Sequence, residues 1–275
     1  MPVSQGISLL HEFKLGNPNV ANPGSNILSV TSTATGDFDK VNLTTDDISR
    51  VWRSSSVLTQ QEIVIKADVN TEMDTFAILN TNFTEDAIVY IEGGYNQANW
   101  QAPPFRNRLI VDEDSDPCHL VFASEGFGAA YPFFRVTVLD PTNTDGYIEI
   151  GRIVGGSAFT FENNEDMTDN YQVSNKDQSE KMKTEGYFRP SNENVIVRAL
   201  RASFQSIETA VGVNANYTGY RRFYRNVKTT KPFLVIVNRA NPNVFSAWVQ
   251  LNTLPTDSFQ VNQRVNFSLD AEEVF

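Results

Sequence analysis

Two histidines (His11 and His119), one cysteine (Cys118) and the carboxylates Asp112, Glu113, Asp114 and Asp116 are the groups whose types and spacing could do chemistry in this chain. A serine-nucleophile triad needs a histidine, and neither one lies in a Gly-x-Ser-x-Gly context. His119 follows Pro117-Cys118 and precedes the apolar Leu120-Val121-Phe122, which is where a packed histidine sits at a strand start. Neighbouring side chains on a strand point to opposite faces, so Cys118 and His119 make a poor thiol–imidazole pair. One cysteine forms no intrachain disulfide and no thiolate zinc site, and two histidines form no His-rich one. There is no Gly-x-x-x-x-Gly-Lys and no Gly-x-Gly-x-x-Gly opening a helix. The acidic cluster lacks the central Gly and distal bidentate Glu of a calcium loop. It reads as a solvated acidic loop, with loop calcium as the alternative. The expectation is a chain that is not an enzyme and needs no cofactor and no metal.

The remaining chemistry is that of contact. Tyr217, Tyr220 and Tyr224 interleave with Arg221, Arg222 and Arg225, a pairing enriched in protein interfaces. Simple helix packing and nucleic-acid binding are the competing readings. The stretch Gly93–Phe105 carries Tyr95, Trp100 and Phe105 among amides and two prolines. It reads as a loop packed on its own sandwich or on a neighbour, or else as a glycan-binding loop. Phe13, with Ile7, Leu9 and Leu10, gives the N-terminal arm an apolar group that would dock on a neighbouring subunit.

These residues sit in a chain of 275 residues with 22 Lys and Arg against 33 Asp and Glu, a net charge of −11. Such an acidic balance argues against a phosphate-backbone binder. The chain is long enough for one large domain or two small ones with a proper core. Its 19 Phe and 9 Tyr exclude wholesale disorder. The first twenty residues lack the basic start and apolar stretch of a secretory leader, and no run of 18 apolar residues occurs, so neither export nor membrane insertion is expected. The four Asn-x-Ser/Thr sequons at Asn42, Asn82, Asn216 and Asn266 are then coincidental.

The elements that must position all this are short and β-like. Glu62–Lys66, Phe76–Leu79, Ala87–Ile91, Phe133–Leu139 and Tyr147–Val154 are rich in Val, Ile, Phe and Tyr and are separated by Asn, Asp, Gly, Pro and Thr clusters. Further strands are read at Asn194–Leu200, Phe233–Arg239, Ala247–Leu251 and Val265–Leu269. The one helix is placed at Ser206–Arg225, weakened by Gly212 and Gly219. Residues 163–186 are polar and nearly free of aliphatics. They read as an exposed excursion, or as a segment that orders against a neighbouring subunit. The predicted organisation is an arm at 1–20, a first domain at 21–162, the polar segment at 163–186 and a β-rich C-terminal domain at 187–275.

Ser25–Leu28 (SNIL), Val51–Ser56 (VWRSSS), Glu62–Asp68 (EIVIKAD), Asp74–Gly93 and Phe133–Gly156 together resemble a discoidin-like, galactose-binding-type jelly roll. With WRS, LNTN and GYIEIGR combined, this version is similar to those in virion proteins of tailed bacteriophages. The C-terminal part resembles them more weakly, through FLVIVNR and the SLDAEEVF end. The resemblance implies a mainly β fold: an antiparallel jelly-roll sandwich followed by a smaller β-rich domain with one helix. It implies a structural virion component, of tail or baseplate, whose partners are other virion proteins and copies of itself. The alternative is a carbohydrate-binding adhesion module of a tail fibre or capsid surface that meets a host surface glycan.

Overall fold

The computed structural model describes residues 7–11, 13–15, 26–67, 73–97, 100–111, 118–123, 130–161, 171–177, 180–184, 187–192, 196–208, 215–239, 242, 246–260 and 264–274. The fold is mainly β and antiparallel. The strands of the first part are β1 (Ser8–Leu10), β2 (Phe13–Leu15), β3 (Ile27–Val30), β4 (Trp52–Arg53), β5 (Gln61–Lys66), β6 (Thr75–Thr81), β7 (Ile88–Gly94), β8 (Phe105–Leu109), β9 (Cys118–Ala123), β10 (Phe133–Leu139), β11 (Glu149–Gly156) and β12 (Phe159–Thr160). There follow β13 (Tyr171–Asp177), β14 (Glu180–Thr184), β15 (Tyr187–Asn192), β16 (Ile196–Glu208), the helix α1 (Ala215–Val227), β17 (Phe233–Ile236), β18 (Ser246–Leu251), β19 (Ser258–Gln260) and β20 (Arg264–Glu273).

Two compact units form. The first comprises Met1–Thr160 with Leu234–Ser246, the second Phe161–Phe233 with Ala247–Val274. The single C-terminal domain expected at 187–275 is therefore interrupted, because Leu234–Ile236 of β17 pair with β1 in the first unit.

The first unit is a jelly-roll sandwich. One sheet runs β3-β5-β10-β7-β8, and the other runs β2-β11-β6-β9 with β4 on β11. Alternation along β5, β7 and β10 supplies one side of the core: Ile63 and Ile65, Val89 and Ile91, and Phe134, Val136 and Val138 meet Phe76, Ile78, Leu120, Ile150 and Ile153 of the other sheet. The expected N-terminal arm belongs to this unit. Leu9 and Leu10 are fully buried, and β1 pairs with both β12 and β17. Their apolar surface is spent inside the chain, so Leu9 and Leu10 have none left for a neighbouring subunit.

The WRS, LNTN and GYIEIGR stretches meet at one place. Ser54 and Ile148 exchange bonds: the Ser54 N–H donates to the Ile148 carbonyl, and the Ile148 N–H donates to Ser54 Oγ, both at 2.9 Å. Arg53 pairs with Glu149 through Nε at 2.7 Å and lies between the rings of Phe38 and Tyr147, 3.9 Å from each. Asn82 donates to the Tyr147 carbonyl and accepts from the Glu149 N–H. Asn80 takes a positive φ of 52°, where Asn is tolerated, and the β6–β9 register shifts beside it. Its freed N–H is capped by Nδ1 of the buried His119 at 3.0 Å, and its amide donates to the Ile48 carbonyl. His119 is thus a packed structural group. The sequon amides of Asn42 and Asn82 are likewise engaged, Asn42 donating to the carbonyls of Asp37 and Val51.

Gly151 follows from the same knot. A Cβ there would be driven into the Ile48 carbonyl oxygen and against Asn80. Backbone cannot give way as a flexible side chain can, so Gly151→Ala is expected to cost about 2–3 kcal/mol. A thermal melt checks this: a midpoint within a degree of the parent would refute the close approach.

In the second unit β16 lies between β13 and β20, while β18 and β19 also pair with β20. The polar segment expected as an excursion supplies β13 and β14. Its ladder bonds to Ile196–Ala202 and to β15 provide order through the main chain that its side chains do not advertise. Residues 163–170 lie outside the described residues. Helix α1 starts at Ala215, not Ser206, because Ile207 and Glu208 remain in β16, opposite Val265 and Arg264. The buried Glu273 near the end of the chain takes both Nε and Nη2 of Arg198.

Candidate functional site

The candidate contact residues scatter. In α1, Tyr220, Phe223 and Val227 form the buried stripe at i, i+3 and i+7. Tyr220 is fully buried and stacks on Phe267 with ring centroids 3.6 Å apart, so it has no surface for a neighbouring subunit and is a core residue. Tyr224 is half-buried, edge-on to Tyr220, and its hydroxyl lies 3.4 Å from Arg221 Nε. Arg222 and Arg225 are exposed on the opposite side of the helix. The side chains of Phe13 and Tyr217 lie outside the described residues, as do the acidic cluster 112–116 and the turn 124–129.

Tyr95, Trp100 and Phe105 also part company. Inward- and outward-facing residues alternate along β7 and continue past it. Gly93 faces the core, where Tyr131 lies so close that a Cβ would meet its ring at 2.6 Å. Gly94 faces outward, and Trp100 folds back over it. Phe105 turns inward against Phe122 and Tyr131 and is part of the sandwich packing. Tyr95 packs edge-on to Tyr131 at 5.2 Å yet remains 63% exposed, beside the exposed Asn96 and Gln97. Burial pushes the Tyr131 phenol above its usual range, and Tyr95 adds to that. The result is a rim at one end of the sandwich: one aromatic ring held outward on a buried aromatic base, with two amides next to it.

Trp100 belongs to the outer face of the β3-β5-β10-β7-β8 sheet. Its indole N–H donates to the Gln97 carbonyl at 2.8 Å, and the Arg135 guanidinium lies 5.0 Å from its ring. Antiparallel register puts Val64, Arg135, Glu92 and Arg106 in one cross-strand row. Arg135 Nε meets Glu92 at 2.6 Å, Arg135 Nη1 meets Glu62 at 3.2 Å, and Arg106 Nε meets Glu92 at 3.4 Å. Glu92 is almost wholly buried under these two guanidiniums, while the Arg106 side chain is 53% exposed and its guanidinium lies 4.0 Å above the Tyr90 ring. The next row holds Glu62, Thr137, Tyr90 and Arg108. Sequence reasoning missed this array. The signal was FRNRL at Phe105–Leu109, whose strict alternation puts both arginines on one face.

No protein-family model and no curated protein matches the chain. Solved structures resemble part of it. CBM32-3 from a family 31 glycoside hydrolase of Clostridium perfringens is 21% identical, with 49% of this chain and 93% of that one covered and a TM-score of 0.39. Chitosan-binding module 1 from a chitosanase/glucanase of Paenibacillus sp. IK-5 is 10% identical, covering 49% and 97%, with a TM-score of 0.36. The N-terminal domain of the single-strand break repair protein XRCC1 is 14% identical, covering 54% and 100%, with a TM-score of 0.39.

Proposed function

We propose that the chain is a non-catalytic glycan-binding module whose sugar contact is the rim formed by Tyr95, Asn96 and Gln97. The observation that carries this reading is the combination at Tyr95: a ring mostly open to solvent, yet held from behind by a buried ring. Its open part is an apolar surface for the C–H face of a sugar, and it is positioned before the ligand arrives, which lowers the ordering cost of binding. The neighbouring amides provide donors and acceptors for hydroxyls. Tyr95→Ala is expected to weaken glycan binding at least about tenfold, as loss of an aromatic anchor does. A glycan array followed by titration of the best ligand tests this. A parent chain that binds no glycan, or a Tyr95→Ala chain that binds equally well, would sink the reading.

A second reading makes the chain a structural component of a tailed-phage virion, in tail or baseplate, with copies of itself and other virion proteins as partners. It rests on the sequence resemblance. Arg222 and Arg225 support it, being exposed together on one side of α1 and suited to an acidic neighbour. Fractionation of purified particles decides it: absence of the chain from the particles would reject the reading.

A further inference from the structure

We infer that the outer face of the β3-β5-β10-β7-β8 sheet is a second binding site, for an acidic glycan whose sugars bear carboxylate or sulfate groups. The inference takes the nature of the ligand from the glycan reading but does not depend on the Tyr95 rim. It starts from charge. On a chain of net charge −11, the described residues of this face gather Lys66, Arg106, Arg108 and Arg135 against Glu62 and Glu92. The two carboxylates are already committed. Glu92 lies buried between Arg135 and Arg106, and Glu62 also pairs with Arg135. Arg106 keeps half its side chain in solvent, and Arg108, one row further along, is exposed with no carboxylate partner among the described residues.

Geometry then selects a repeating ligand. Arg106 and Arg108 are two residues apart on the same face of the edge strand β8, which spaces them about 7 Å along the strand. Arg106 is braced over Tyr90, with its guanidinium carbon 4.0 Å from the ring centroid, so its forked donors are held in place instead of sweeping solvent. Two guanidiniums spaced along an open edge strand, one of them braced over the Tyr90 ring, match an extended chain of sugar rings with an anionic group on successive units. Guanidinium–carboxylate and guanidinium–sulfate pairs are charge-assisted and two-pronged. The buried Glu92 keeps the arginines positioned without cancelling the excess charge.

The test uses the full chain and four fluorescent probes in anisotropy titrations at two salt concentrations: a uronate oligosaccharide, a sulfated oligosaccharide, the carboxyl-reduced neutral form of the first, and an oligo-dT strand. One acidic oligosaccharide is expected to bind at least tenfold better than the neutral form and to weaken as salt rises. Which of the two binds identifies the acid. Arg108→Glu, at an exposed position that supports no packing, is expected to lose at least tenfold in affinity. The double variant Arg106→Gln/Arg108→Gln should lose more, and Tyr95→Ala should bind the acidic probe like the parent. Equal binding of acidic and neutral forms, or unchanged binding by Arg108→Glu, overturns the inference. Loss in Tyr95→Ala with none in Arg108→Glu places the acidic ligand at the rim and overturns it while leaving the rim reading intact. Tighter binding of oligo-dT than of either oligosaccharide replaces it with a nucleic-acid site.

Discussion

Asp46→Ala is expected to destabilise the first unit by about 3 kcal/mol, the lower end of the cost of breaking a buried ion pair. Arg152 on β11 has no exposed surface, and its guanidinium bonds to Asp46 in the 46–48 stretch that also carries the Ile48 carbonyl. Burial pushes the guanidinium pKa down, and the charge and hydrogen bond of Asp46 act against that shift. Removing Asp46 leaves the desolvation and takes away what opposes it. The cost stays at the lower end because Asp46 is 43% exposed, so water can follow into the space. The reverse change behaves differently. Arg152→Met removes the buried charge and fills most of its volume, and Asp46, already 43% exposed, keeps its access to water, so it is expected to be near neutral. Denaturant unfolding of both variants checks the asymmetry. An Asp46→Ala midpoint equal to the parent's, or an Arg152→Met loss as large as that of Asp46→Ala, would show that the pair does not hold the loop.

What could be read from the residues follows from how each element is stabilised. β5, β7, β10 and β17 draw their stability from apolar side chains, so their Val, Ile, Leu and Phe runs mark them plainly. β13, with the sequence YQVSNKD, has little apolar content and is held by ladder bonds to β16, which leave no trace in composition. β16 runs on into residues that look helical because its partner β20 is long enough to pair with them, a tertiary effect that overrides local propensity. The contact residues show the same limit. Tyr220 and Arg222 both suited an interface by type, but the helical stripe through Phe223 and Val227 assigns one to the core and the other to solvent. Tyr95, Trp100 and Phe105 sit within eleven residues of sequence. Phe105 turns inward from β8, Trp100 folds over Gly94 on the outer face, and only Tyr95 of the three is left largely open.

Trp52→Ala is expected to cost about 3–5 kcal/mol, the range for emptying an aromatic site in a core. Trp52 has no exposed surface, and its indole N–H donates to Thr33 Oγ1 at 3.3 Å. Its strand is only two residues long and pairs with β11 at Ile150 and Glu149, too short a ladder to fix its own position. Side chains do that work, with Arg53 clamped by Glu149, Phe38 and Tyr147 on one side and Trp52 inserted into the core on the other. Those Arg53 contacts lie outside the core and persist in the variant, so the chain around residue 52 cannot collapse to fill the gap. A poorly relaxed cavity carries the larger penalty. Trp52→Phe keeps most of the volume, gives up the N–H bond to Thr33 and should fall between, near 1–2 kcal/mol. Trp100→Ala is the contrast, since that indole lies half-exposed on the outer sheet face and empties no core. Denaturant midpoints of the three variants should therefore fall in the order Trp100→Ala, Trp52→Phe, Trp52→Ala. A Trp52→Ala chain within about 1 kcal/mol of the parent that had lost a binding partner instead would move Trp52 from the core to the binding surface, because truncating a residue that supports a core costs more than that.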